Sequence, residues 1–227
     1  MVSAVIAAGG RGTRMGAGYN KVFMELMGEA ILLHTIRTFA ESPFVDEIIV
    51  VTGEDDIERV RELAKGSGIS VKVTEGGATR RASVYNGLML ANGDIAVIHD
   101  GARCLVEQRE IAAVIDDCKK YGAAALGVKC KDTLKTADEN GFIAGTVDRE
   151  KTYLIQTPQV FDRDRIIAAH ERAIEDGFEP TDDCALLERY GGRIRITEGS
   201  YENIKLTTPE DIEVAEKILS RRKSICG

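Results

Sequence analysis

The chain has 227 residues, 44% of them hydrophobic and 30% charged, with a formal net charge of −7. That length suits one domain with a substantial core, and the balance of residues excludes a disordered chain. The acidic sum argues against a nucleic-acid partner, and no apolar run approaches the ~20 residues of a membrane span.

Val2-Ser3-Ala4-Val5-Ile6 is a short apolar run that predicts a buried first strand, and it leaves no room for a signal peptide. Gly9, Gly10, Gly12 and Gly16 follow within eight positions, with Arg11, Arg14 and Lys21 among and after them. Glycine lets backbone N–H groups approach an anion closely, and fixed cations neutralise phosphates, so this loop has the outline of a polyphosphate cradle. It is not the P-loop, since no Gly-Lys-Ser/Thr closes it, nor does it carry the dinucleotide-fold spacing. A plain surface loop is the alternative.

Beyond the loop, apolar spacing predicts a helix over 29–40, stopped by Ser42-Pro43, and a strand over 47–52 that is apolar on both faces. A helix over 56–65 and a strand over 69–74 follow, then a helix over 80–91, a strand over 94–98, a helix over 111–121 and a strand over 123–128. This alternation predicts an α/β fold with a doubly wound, mostly parallel sheet and right-handed crossovers. Between 129 and 156 the pattern turns polar and predicts a β-hairpin arm over 131–152, with its turn at Glu139-Asn140-Gly141. Gln156-Thr157-Pro158-Gln159 returns the chain to the core. Helices over 163–176 and from Asp182-Asp183 to Tyr190, a strand over 193–197 and a terminal helix over 209–221 complete the chain.

Ligands of such sheets bind outside the carboxyl ends of the strands. Three polar clusters fall there: the loop over 9–21, Gly76-Gly77-Ala78-Thr79-Arg80-Arg81-Ala82-Ser83, and His99-Asp100-Gly101-Ala102-Arg103. The second is either an anion or base-edge site or a helix cap with solvated arginines. Asp100 is placed to hold Mg²⁺ against phosphates, or else caps a turn. His99 is a packing or loop-orienting histidine, because no nucleophile accompanies it. Thr181-Asp182-Asp183 has the pattern of a helix cap, and Lys205 and Arg149 alone suit a solvated face. Cys104, Cys118, Cys130, Cys184 and Cys226 form no C-x-x-C pair and suit reduced thiols of a cytoplasmic protein. Scattered His34, His99 and His170 make a zinc site a poor fit. Cations, glycine amides and one carboxylate, without a general base, suit nucleotidyl transfer to an acceptor that is already an ionised phosphate.

Ala8-Gly9-Gly10-x-Gly12-x-Arg14-Met15-Gly16, Asn20-Lys21, Arg80-x-x-Ser83-Val84-x-x-Gly87-Leu88 and His99-Asp100-Gly101-Ala102-Arg103 occur together in this order. Lys131-Asp132-Thr133, Gln156-Thr157-Pro158-Gln159, Thr181-Asp182-Asp183 and Asn203-Ile204-Lys205-Leu206-Thr207-Thr208-Pro209 continue the series. Over almost its whole length the chain resembles the 2-C-methyl-D-erythritol 4-phosphate cytidylyltransferases of the non-mevalonate isoprenoid pathway. It departs from their usual pattern at Gly9, Cys104 and Tyr153, none of which removes a charge.

The resemblance implies a Rossmann-like nucleotidyltransferase fold spanning 1–227 and a cytoplasmic homodimer that joins CTP and methylerythritol phosphate with release of pyrophosphate. It implies that Ala8, Gly9, Gly10, Gly12 and Arg14 hold the CTP triphosphate, and that Arg14, Lys21 and Lys205 serve catalysis. It assigns Gly76, Arg80 and Ser83 to the cytosine and its surroundings, and Asp100 and Ala102 to the nucleotide, Asp100 also meeting Mg²⁺. Arg103 and Thr181 would place the methylerythritol moiety, and Thr133 and Arg149 on the arm would serve the partner subunit's substrate. Ribitol 5-phosphate is the rival acceptor, and a nucleotide-binding module without catalysis is the rival class.

Overall fold

Strand and helix alternate through most of the chain, and the computed structural model, which describes residues 1–10 and 20–226, shows how they assemble. Among the described residues, β1 (Val2–Ala7) lies inside a seven-stranded sheet. A minimal hairpin, β2 (Glu25–Leu26) and β3 (Glu29–Ala30), precedes α1 (Ile31–Ala40). Then come β4 (Glu47–Thr52), α2 (Ile57–Gly66), β5 (Lys72–Glu75), α3 (Arg80–Leu90), β6 (Ile95–Asp100) and α4 (Gln108–Tyr121). Next are β7 (Ala123–Lys129), the arm strands β8 (Lys135–Ala137) and β9 (Ile143–Thr146), and β10 (Tyr153–Asp162). The chain closes with α5 (Arg163–Glu175), α6 (Asp183–Arg189), β11 (Arg195–Glu198) and α7 (Pro209–Cys226).

The sheet order is β11-β7-β10-β6-β1-β4-β5. β1 pairs in parallel with β4 on one side and β6 on the other, so the topology reverses at β1. Strand alternation sends Ile6, Val50, Val97 and Leu126 to one face, where Leu32, Ile36 and Phe39 of α1, Val60 of α2 and Ile111 of α4 cover them. Val5, Ile49, Ile98 and Phe161 face the other way onto Val84 and Leu88 of α3 and Ile166 of α5. The sheet is therefore doubly wound. Gly87 lets α3 approach it closely, because a Cβ there would lie 2.5 Å from Val5 Cγ1 and 2.7 Å from Val51 Cγ2. A third cluster of Leu26, Ile31, Leu105, Leu206 and Ala215 seats α7.

Several boundaries differ from expectation, each for a physical reason. The 156–159 stretch is not a mere return but the middle of β10, antiparallel to both β6 and β7. Its proline hid it, since proline is confined in sheets to edges and bulges. Pro158 sits where the β7 register shifts between Ile155 and Gln159. β6 runs on through His99 and Asp100, because Ile6 and Ala7 still pair with them, so Asp100 ends the strand and does not follow it. The expected strand over 69–74 is short and displaced to Lys72–Glu75, after Gly68 at φ +71°. In the arm only Lys135–Ala137 and Ile143–Thr146 pair, around a turn in which Asp138 Oδ1 accepts from the N–H groups of Asn140 and Phe142. α7 continues past Arg221 to Cys226.

Candidate active site

Parallel register places Ala7 beside Asp100, so the loop leaving β1 and the end of β6 open onto one crevice at the reversal of strand order. Ala8 is buried, and its N–H donates to Val51 O at 2.7 Å, after which Gly9 and Gly10 are exposed. Gly12 and Arg14 lie outside the described residues. The loop's far end is fixed by Asn20, whose Nδ2 donates to Ala8 O at 2.5 Å and to Asp56 at 3.1 Å. Lys21 follows at the start of a single turn over Lys21–Phe23.

Asp100 is the centre of charge. Its Oδ2 lies 2.7 Å from Lys205 Nζ and 3.7 Å from Arg103 Nε, and its Oδ1 lies 3.6 Å from Arg80 Nε. Burial opposes the Asp100 charge, but Lys205, Arg80 and Arg103 overcome it and hold its pKa well below the usual carboxylate range. Arg80, Arg103 and Lys205 thus meet at Asp100, with Arg80 shared with Asp183, and such a gathering of cations suits an anionic ligand.

Each cation is delivered by its own element. Arg80 opens α3, whose N-cap Thr79 accepts from Ala82 N. Ser83 Oγ accepts from Gly77 N at 3.1 Å and donates to Thr79 O at 2.9 Å, which shapes the glycine loop ahead of the helix. A Cβ on Gly76 would stand 2.7 Å from that hydroxyl, so glycine is needed for the close approach. Arg103 is held by a 2.8 Å bond from Nη1 to Asn203 O. Lys205 comes from a loop tied to the β6 turn by Leu206 N to Ala102 O at 2.9 Å. Arg222 of α7 braces that loop through Glu202 at 3.0 Å.

His99 is buried, and both of its ring nitrogens are engaged. Arg103 O can only accept, so the 3.0 Å contact puts the proton on His99 Nε2. Nδ1 then accepts from Thr157 Oγ1 at 3.1 Å, and the same hydroxyl accepts from Asp100 N at 3.0 Å. Burial pushes the His99 pKa down to about 4, so the ring is neutral at pH 7 and orients the loop.

Thr181 is exposed, directly ahead of α6. Thr133 is exposed on the arm, and Arg149 pairs there with its neighbour Glu150 at 3.6 Å; no ion pair or hydrogen bond among the described residues joins either to the Asp100 cluster. The cap of α6 is Asp182, whose Oδ1 accepts from Ala185 N at 2.9 Å. Asp183, which the cap pattern concealed, is instead buried, and its Oδ2 accepts from Arg80 Nη1 at 2.7 Å. The part played by Thr157 emerges only once β10 lies against β6; in the sequence it stands within the Gln156-Thr157-Pro158-Gln159 motif without a role of its own.

Among the described residues no group of three His, Cys, Asp or Glu side chains gathers to form a metal cage. Mg²⁺, however, commonly takes one or two carboxylates and completes its octahedron with phosphate oxygens and water. Asp100, at the end of β6, fits a cation that would bring phosphate oxygens and water as its other ligands.

A doubly wound sheet with a basic, glycine-flanked crevice at its topological switch point defines a nucleotide-handling enzyme of the nucleotidyltransferase class. The profile of the family 2-C-methyl-D-erythritol 4-phosphate cytidylyltransferase (IspD) matches residues 2–221. A protein of that name from Caldanaerobacter subterraneus subsp. tengcongensis is 45% identical over 225 residues, covering 97% of this chain and 99% of that protein. One from Clostridium novyi is 43% identical, covering 97% of each. In structure, the 4-diphosphocytidyl-2C-methyl-D-erythritol synthase of Anaerococcus prevotii superposes with a TM-score of 0.88 at 30% identity, covering 97% of this chain and 96% of that one. The chain belongs to the 2-C-methyl-D-erythritol 4-phosphate cytidylyltransferase family.

Proposed function

We propose that this chain joins CTP and 2-C-methyl-D-erythritol 4-phosphate to give CDP-methylerythritol and pyrophosphate. The observation that carries this reading is the convergence of Arg80, Arg103 and Lys205 on Asp100 in the crevice beside the β1 loop. The acceptor phosphate is already ionised at neutral pH, so its oxygen attacks the α-phosphorus directly. The bond to the pyrophosphate oxygen breaks, and the electron pair leaves with pyrophosphate. What the protein must supply is alignment of two anions and stabilisation of the charge that builds between them.

In this reading Ala8, Gly9, Gly10 and Gly12 offer backbone N–H groups to the triphosphate, and Arg14 and Lys21 stabilise the α-phosphoryl group in the transition state. Gly76, Arg80 and Ser83 meet the cytosine and its surroundings, with Ala102 lining the nucleotide. Arg103 and Thr181 place the methylerythritol moiety, and Lys205 contacts phosphate and serves catalysis. Asp100 would hold Mg²⁺ against the triphosphate, where the cation would draw charge from the phosphoryl oxygens. The arm over 131–152 would place Thr133 and Arg149 in the site of a second copy, making the enzyme a cytoplasmic homodimer. Support for that pairing comes from Phe142 and Ile143 on the arm, 71% and 70% exposed, an apolar tip that calls for cover.

Pyrophosphate release from CTP, Mg²⁺ and methylerythritol phosphate tests the reaction, with ribitol 5-phosphate and ATP as comparison substrates. Both should turn over far more slowly, and equal turnover of ribitol 5-phosphate would overturn the acceptor while sparing the CTP site. The shared site is tested by mixing Arg149→Ala with Lys21→Ala subunits. A heterodimer confines both defects to one site, so activity should recover toward half of wild type. No recovery would place Arg149 in its own subunit's site.

A further inference from the structure

Behind the cation cluster lies a buried pair that the proposed reaction does not use. Asp183 at the start of α6 is 1% exposed at its side chain, and His170 of α5 is 0% exposed. Asp183 Oδ2 accepts from Arg80, but its Oδ1 has no hydrogen-bond partner. Neither ring nitrogen of His170 has one either. Buried polar atoms rarely stay unpaired without a reason. Here the unpaired atoms face each other, with Nε2 and Oδ1 3.8 Å apart. Arg80 spans the gap from this pair to the active site, contacting Asp183 through Nη1 and Asp100 through Nε.

We infer that Asp183, braced by His170, is a positioning residue that holds the Arg80 guanidinium beside Asp100 in the geometry the nucleotide requires. Arginine at the mouth of a helix has several rotamers, and a nucleotide meeting a disordered side chain must first order it. A carboxyl partner hydrogen-bonded to the far side of the guanidinium removes that cost, provided the partner is itself fixed. Asp183 is fixed by its backbone N–H, which donates to Gln159 Oε1 at 3.1 Å, and by packing at the α5–α6 contact. Arg80 and Arg81 disfavour protonation of His170, and burial does so more strongly. The ring is therefore neutral, carries one N–H, and needs a shift of less than an ångström to donate it to Oδ1. The Tyr85 ring lies tilted against it, with centroids 5.7 Å apart, and limits where the imidazole can go.

The inference rests on the assignment of Arg80 to the nucleotide, and the test separates the two. CTP affinity is measured by calorimetry, and KM and kcat by pyrophosphate release, for Asp183→Asn, Arg80→Met and the double variant. Asp183→Asn should weaken CTP binding about tenfold, the scale of one charge-assisted hydrogen bond, with KM rising more than kcat falls. In the Arg80→Met background the same change should add nothing to the loss, because Asp183 acts through Arg80. It should also cost little stability there, because Asp183 no longer has Arg80 to hold. A merely structural Asp183 would give equal destabilisation in both backgrounds and leave CTP affinity untouched, which would overturn the inference. If Arg80→Met itself binds CTP normally, the assignment of Arg80 fails instead. Should Asp183→Asn not fold, His170→Phe keeps the ring and removes the donor. It should weaken CTP binding about threefold, and unchanged affinity would overturn the brace.

Discussion

The two ends of the central sheet use charge in opposite ways. At the amino end, Glu47 accepts from Ser3 Oγ at 2.5 Å, Lys72 Nζ at 2.6 Å and Asn92 N at 2.5 Å. Nearby, Asp46 accepts from Val2 N at 2.7 Å, and Asp94 meets the chain's amino group at 3.1 Å. Donors and acceptors balance there, and the result pins β1, β4 and β5 together. At the carboxyl end, three cations crowd Asp100, and two of the contacts are too long for hydrogen bonds. The first arrangement is complete in itself. The second is less complete: Arg80 is shared with Asp183, and Arg103 Nε has no hydrogen-bond partner. Charge whose hydrogen bonds are complete holds strands together, and charge with donors still unused is available to an anion.

The largest expected effect lies at the carboxyl end. Lys21→Ala or Lys205→Ala should each lower turnover by about 10²–10³, the loss seen when a preorganised donor to transition-state charge is removed. The melting temperature of Lys21→Ala should stay near that of wild type, since Lys21 lies outside the central sheet and the helices that cover it. Lys205→Ala, which takes the 2.7 Å partner from Asp100, should lower it slightly. A large fall in stability with little loss of rate would erase the contrast between the two ends.

Glu47→Gln should do the reverse. Burial works to raise the Glu47 pKa, but the hydrogen bonds from Lys72, Ser3 and Asn92 bring it down to about 2. Its unfolded value is 4.5, so its ionised form stabilises the fold above pH 4.5, and that contribution is lost as pH falls toward 2. The substitution should cost about 2–3 kcal/mol near neutral pH, with KM for both substrates unchanged. Denaturant midpoints at pH 7 and pH 3 check it, the gap between variant and wild type shrinking at the lower pH.

A smaller effect sharpens the comparison by pH. His99 and His170 are both pushed down to about 4 by burial, from 6.5. The unfolded chain takes up those protons first, so stability should fall as pH drops from about 6.5 to 4, before the Glu47 network is touched. His170→Phe should flatten the decline by roughly half over that window, read from melting temperatures between pH 7.5 and 4. An unchanged slope would mean that His170 is already charged in the folded state.

Much of this was legible in the residues. Apolar runs on both faces gave away β1, β4, β6 and β7 as parallel-sheet strands, and glycines beside cations marked the crevice. What stayed hidden was whatever depended on pairing across long separations. β10 was masked by Pro158, whose usual meaning is a break. Asp183 was masked by Asp182, because the two adjacent aspartates fit one helix cap and only the fold shows which of them caps. Lys205 and Arg149 looked like ordinary solvated charges. The fold pairs Lys205 with Asp100 at 2.7 Å, and Arg149 only with its neighbour Glu150.

The placement of β10 bears on the order in which the sheet assembles. β7 and β10 run antiparallel, paired from Lys129 with Tyr153 inward, and Cys130 N bonds Thr152 O at 3.0 Å just beyond. Further out, Val147 N bonds Leu134 O at 3.0 Å, and then β8 and β9 pair. The span 123–162 is thus one long hairpin with the arm as its tip. Zipped from the turn, each new pair closes only a short loop, so the polar insertion adds little closure entropy to the search. The hairpin then docks on β6 as a unit, the antiparallel strand arriving already partnered. Replacing 131–151 with a tight turn should therefore leave the refolding rate nearly unchanged in stopped-flow experiments, and a marked acceleration would show that the arm forms late.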